Sequence, residues 1–92
     1  MSSPQLREDV CVREIDGEAV VLDRSNERMH SFNITAACIL QAIDGKRSEE
    51  EISAVLTERF DVTADAALSD TRQVIEQLRD LGLLQGSEAK QS

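Results

Sequence analysis

Aromatic residues are nearly missing from this chain: Phe32 and Phe60 stand alone, with no Trp and no Tyr. Leu, Ile, Val and Ala must therefore fill whatever core it builds. Cysteine is equally scarce. Cys11 and Cys38 are far apart, without a C-x-x-C pair, and His30 is the one histidine. A zinc site needs four protein ligands, or three and a water, so no metal is expected. Both thiols are expected to be reduced and to act as small hydrophobes. Positive charge is short as well: 10 Lys and Arg against 18 Asp and Glu give a formal net charge of -8. Phosphate backbones bind through Lys and Arg with counterion release, so nucleic acid is disfavoured as a partner. An acidic surface suits solubility or a basic partner.

Long apolar runs are also absent. The N-terminus MSSPQLRED has no apolar signal segment, and nothing approaches membrane-spanning length. The expectation is a cytoplasmic protein with no membrane partner. No Gly-rich loop could cradle a phosphate. His30 sits on a strand beside Met29 without the placed partner that general-base work requires. The carboxylates fall at helix starts and on polar helix faces, where capping and solvation account for them. Catalytic residues and cofactors are therefore not expected, and the chain reads as a non-enzyme.

What is present is periodicity. Ninety-two residues make one domain, able to bury roughly 60–65% of its unfolded surface. The text VCVREIDGEAVVLD places Asp16-Gly17 between two β-branched runs. That is a type I′ hairpin signal, because both central residues need positive φ. It pairs Ile15 with Glu18, Arg13 with Val20 and Val12 with Val21. A second turn at residues 24–27, with Asn26 in the left-handed conformation, leads to a third strand over residues 28–32. After Asn33 the period becomes helical: Ile34, Ala37, Cys38, Leu40 and Ile43 share one face, with Asn33 as N-cap and Gly45 as the stop. Ser48 and Glu51 form a capping box for a second helix. A third helix over residues 64–81 carries Ala67, Leu68, Thr71, Val74, Ile75, Leu78 and Leu81 on its apolar face. Gly82 ends it, and Leu83-Leu84 fold back on the core.

The order is β-β-β-α-α-α: an α+β domain like a winged helix-turn-helix with its wing first. Three strands cannot bury a face alone, so the helices are expected to pack on the sheet. The domain spans residues 10–84, between flexible segments at 1–9 and 85–92. A DNA-binding winged helix would need a basic recognition helix, whereas helix three carries Asp65, Asp70, Glu76 and Asp80 against Arg72 and Arg79. A small acidic carrier would need Asp-Ser-Leu at a helix start, and Leu68-Ser69-Asp70 has the wrong order inside a helix. A peptide-binding module fits better: an unpaired edge of the third strand, beside a helix, recruits an extended peptide by β-augmentation.

Residues 33–45, NITAACILQAIDG, with Phe32 before them, resemble the signature of the PqqD-like family, approximately L-N-x-T-[GA]-A-x-I-[WL]-x-[LI]-[LI]-D-G. The family's following helix start is matched by residues 48–52, and its closing helix by residues 70–84. The likeness covers about residues 10–84. It departs where Met29 and His30 stand in place of tyrosines, and where Leu40 replaces an aromatic. The resemblance implies a peptide chaperone, or RiPP recognition element. Such a protein binds the leader of a ribosomally made precursor peptide and presents it to a modifying enzyme, often a radical SAM enzyme, as in pyrroloquinoline quinone biosynthesis. It further implies that the leader adds as a strand beside Arg28, Met29, His30, Ser31 and Phe32 and lies against the third helix. Two flanks of that helix are available. Leu68, Thr71, Arg72 and Ile75 are taken as the wall, with Arg72 matching an acidic leader; Ala67, Asp70 and Val74 form the other flank. Docking to a protein partner without a leader, and a homodimer paired through the same strand edge, are the alternatives.

Overall fold

The computed structural model describes residues 4–85. Its elements are β1 (Val10–Ile15), β2 (Glu18–Asp23), β3 (Arg28–Phe32), α1 (Ile34–Ala42), α2 (Glu49–Arg59) and α3 (Ala64–Asp80). The expected α+β order is the observed one. The strands form one antiparallel sheet in the order β1-β2-β3.

The first turn has φ of 54° at Asp16 and 84° at Gly17, the two positive values of a type I′ turn. It sets the register Ile15↔Glu18, Arg13↔Val20 and Val12↔Val21. The second turn differs in detail: Glu27, not Asn26, takes positive φ, at 55°. Asn26 instead turns its side-chain amide onto the Asp23 carboxylate at 2.8 Å. That bond holds the loop from the inside and leaves the left-handed position to its neighbour.

Alternation along β2 decides the layers. Ala19, Val21 and Asp23 point inward and are buried, and their partners on β3 are Phe32, His30 and Arg28. α1 lies on this inner face and packs against all three strands. α2 and α3 pack on α1 and on each other, and neither backbone approaches a strand. The helices therefore stack as a second layer behind α1 rather than all lying on the sheet. Sandwiched this way, α1 is buried at Ala36, Ala37, Cys38, Ile39, Leu40 and Ala42, more than one helix face. Ile34, expected in the core, is instead 53% exposed, because it sits at the first turn, over the Gly17 hairpin loop.

Helix ends follow local chemistry. Asn33 Oδ1 accepts the Ala36 N–H at 2.9 Å, and the Ser48–Glu51 capping box is complete at 3.2 and 2.8 Å. Thr63 Oγ1 accepts the Ala66 N–H to start α3. α1 ends earlier than the Gly45 stop implied. Ile43 is its C-cap, and Asp44 accepts the Lys46 and Arg47 N–H groups at 2.9 and 3.0 Å. Gly45, at φ 82°, turns that loop and donates its N–H to the Pro4 carbonyl.

That last bond belongs to an N-terminal strap. Leu6 bridges Leu84, Arg7 N–H donates to the Leu83 carbonyl at 2.9 Å, and Gln85 N–H donates to the Gln5 carbonyl at 2.7 Å. The Arg7 guanidinium bonds Asp9, Asp23 and the Gly82 carbonyl. Residues 4–9 are thus part of the domain, correcting the expectation of a flexible segment over 1–9. Residues 1–3 and 86–92 lie outside the described residues. Leu83 and Leu84, 0% and 4% exposed, are seated in the core by this strap.

Candidate functional site

Among the described residues β3 has one neighbour, β2, so its other edge is unpaired there. Which backbone groups that edge offers follows from the hairpin. In a two-residue type I′ hairpin the pair beside the turn exchanges both hydrogen bonds, and the pattern then alternates. Ile15↔Glu18, Arg13↔Val20 and Cys11↔Leu22 are therefore the bonded pairs of β1 and β2. The Arg24 N–H to Asp9 carbonyl bond, at 3.1 Å, continues the same phase. Groups on Ala19, Val21 and Asp23 must then face β3, where they meet Phe32, His30 and Arg28. This leaves the N–H and C=O of Met29 and Ser31 directed outward. Their side chains lie on the outer sheet face, Met29 being 69% exposed. Phe32, 6% exposed, anchors the strand in the core.

Across from this edge stands α3. Between them is an open groove of about 400 Å³. β3 and the α1 cap contribute Ser31, Phe32 and Asn33, the floor is Thr35 and Ala36 at the start of α1, and the far wall is Asp70, Gln73, Val74 and Gln77. The groove exists because α3 rests on α1 and α2 and not on the sheet. Asn33 helps in two ways: as N-cap it starts α1, and it fixes β3 against the helix whose first turn forms the floor.

The expected helix flank is not the one that faces β3. Thr71 and Ile75 are 0% and 2% exposed and belong to the core. The Thr71 hydroxyl donates to the Ala67 carbonyl at 2.8 Å, so this polar side chain is satisfied within its own helix. Arg72 Nε donates to Glu49 of α2 at 3.2 Å, on the side away from the groove, and Leu68 is half-buried outside the lining. Of the other flank, Asp70 and Val74 line the groove, whereas Ala67 is buried at 0% exposure. Gln73 and Gln77 complete the wall and were missed; they stand one helical turn apart and share a stripe with Asp70 and Val74. On β3, Ser31 and Phe32 line the groove directly, Arg28 and Met29 sit further along the strand, and His30 is half-buried on the inner face. The His30 Nε2 atom is buried and has no hydrogen-bond partner among the described residues.

Other chemistry is thin. Cys11 and Cys38 are free thiols. Burial pushes the Cys38 thiol up, and the nearby Arg59 offsets this only partly, so its nucleophilic thiolate is suppressed. Among the described residues no group of three or more His, Cys, Asp or Glu could hold a metal ion. No helix among them is long and apolar enough to cross a membrane.

Comparison with known proteins agrees with this architecture. The chain is similar to TbiB1, solved in complex with the TbiA(beta) leader peptide, at 21% identity and a TM-score of 0.79, covering 89% of this chain and 95% of that one. It is also similar to lasso peptide synthetase B1 complexed with the leader peptide, at 26% identity and a TM-score of 0.77, covering 89% and 96%. No curated protein matches the chain. Residues 18–84 match the family model of coenzyme PQQ synthesis protein D, a span running from β2 through the fold-back at Leu84, and the chain belongs to the PqqD family.

Proposed function

We propose that this protein binds the leader segment of a ribosomally made precursor peptide by adding it as a strand to β3, and presents it to a modifying enzyme. The observation that carries this reading is the unpaired β3 edge, with Met29 and Ser31 directed outward, facing α3 across an open groove. Strand addition uses those backbone groups for affinity and the groove wall for selectivity. Relatives of the same fold have been solved with leader peptides bound, which supports the peptide class. Catalysis then belongs to the partner, a radical SAM enzyme or another peptide-modifying enzyme, and this chain acts as a binding module. The compartment that suits such a pathway is the cytoplasm.

The test is an amide-shift titration with the leader segment of a precursor peptide encoded beside this chain's gene. Shifts concentrated on Met29, Ser31 and the groove face of α3 are expected. No shifts at large peptide excess would refute leader binding. The same exposed edge also suits pairing with a second copy. A mass that rises with protein concentration, and falls when peptide is added, would identify that homodimer as a competing occupant.

A further inference from the structure

The lining of the β3–α3 groove is electrically one-sided. Among the described residues that line it, Asp70 is the one that is charged. Its carboxylate has neither an ion pair nor a side-chain hydrogen bond among the described residues. The ion pairs there join Arg7 to Asp9 and Asp23, Arg47 to Asp44, and Arg72 to Glu49. Arg72 is only two residues on, but two residues turn about 200° around a helix, and its guanidinium bonds α2 instead. Asp70 is half-buried. A ligand that brings a cation beside this carboxylate forms a charge-assisted hydrogen bond that no described residue supplies.

One helical turn further, Val74 lines the same groove, as does Ala36 at the start of α1. Four residues of helix rise about 6 Å, and two residues of strand advance about 6.6 Å. Side chains of an added strand point to the same face at every second position. Asp70 and Val74 are thus spaced to meet positions i and i+2 of a ligand strand that runs along α3.

We propose that the segment bound in this groove carries a Lys or Arg that pairs with Asp70, two residues from a small apolar side chain seated on Val74 and Ala36, and that Asp or Glu is rejected at the basic position. The proposal rests on the strand-addition reading and names the ligand chemistry that reading leaves open. It reverses the acidic-leader preference drawn from Arg72.

The probe is a set of N-acetylated, C-amidated ten-residue peptides of alternating Val and Ser, with one Lys, Gln or Glu walked through the positions. Binding is followed by amide shifts and Kd. At the best position the Lys peptide is expected to bind roughly twofold to fivefold more tightly than its Gln equivalent, and the Glu peptide more weakly than either. Asp70→Asn should erase the ranking and Asp70→Lys should invert it, with thermal melting of each variant reporting the fold. If Met29 and Ser31 shift with every peptide but Lys, Gln and Glu bind alike, the charge pairing is overturned and strand addition stands. A Lys preference that survives in Asp70→Asn also overturns the pairing. If no peptide moves Met29 and Ser31, strand addition itself is overturned.

Discussion

Proline substitution along β3 tests the site at the level of single backbone groups. At Ser31 the N–H is directed away from β2, so Ser31→Pro removes no bond from the sheet. Proline is tolerated on edge strands in this orientation. At His30 the N–H faces Val21, whose residue is 0% exposed. There the substitution deletes a ladder bond and strands a buried carbonyl, at about 3 kcal/mol. The binding consequences run the other way. Ser31→Pro denies an added strand one N–H donor and leaves a ligand carbonyl unpaired, a loss of about 2 kcal/mol or roughly thirtyfold in Kd. Urea unfolding and calorimetric titration with the leader peptide read the two quantities separately. Ser31→Pro should unfold within about 1 kcal/mol of the parent and bind far more weakly, whereas His30→Pro should be strongly destabilised. Parental peptide affinity in Ser31→Pro, or equal destabilisation by the two prolines, would refute the assignment of outward-facing groups.

Arg72→Glu loses the exposed pair with Glu49 and should cost about 0.5 kcal/mol in urea unfolding, with no change in peptide affinity; a weakened Kd would restore the flank with Arg72 as the peptide wall. Leu83→Ala should destabilise by about 2–5 kcal/mol, since Leu83 is 0% exposed and strapped by the Arg7 N–H, and an unfolding midpoint within error of the parent would contradict that packing. Acid stability should track Asp23. Its carboxyl is held below the usual carboxylate range first by the Asn26 side-chain hydrogen bond, then by the Asn26 backbone N–H and by Arg7, against the opposing effect of burial. A depressed native pKa adds stability above the unfolded-state value, lost as pH falls through the native one. The urea midpoint should therefore drop on acidification below about pH 4, and Asp23→Asn should flatten that drop.

The parts legible in the sequence are those set by neighbours in the chain. Asp16-Gly17 dictates its turn through φ, the turn dictates the register, and the register fixes which face of β2 is buried. Asn33 and Ser48 cap with atoms three residues away. What was illegible depends on distant partners. Nothing local to Arg7 announces that it will bridge Asp23 and Gly82, so residues 4–9 read as a polar end. Thr71 belongs to the apolar stripe as expected, but its hydroxyl is spent on Ala67, so the residue is buried in the core and offers nothing to a peptide wall. Helical period groups Thr71 with Ile75 correctly, but period alone does not say whether that stripe meets the core or the groove.

That ambiguity has a structural origin. A helix resting on two other helices buries a wide arc, and the open wall is the margin of that arc rather than its centre. On α3 the centre is Ala67, Thr71, Ile75 and Leu78, all at most 2% exposed. The margin toward β3 is Asp70, Gln73, Val74 and Gln77, a row whose polarity hides it in a search for apolar stripes. A site that receives a backbone needs little apolar area of its own, because the ligand's N–H and C=O groups are satisfied on β3. The wall is then free to be polar and to discriminate among side chains. On the proposed reading, backbone capture falls to Met29 and Ser31 and side-chain choice to Asp70 and Val74, so that changing a few residues on one helical margin would change the peptide taken.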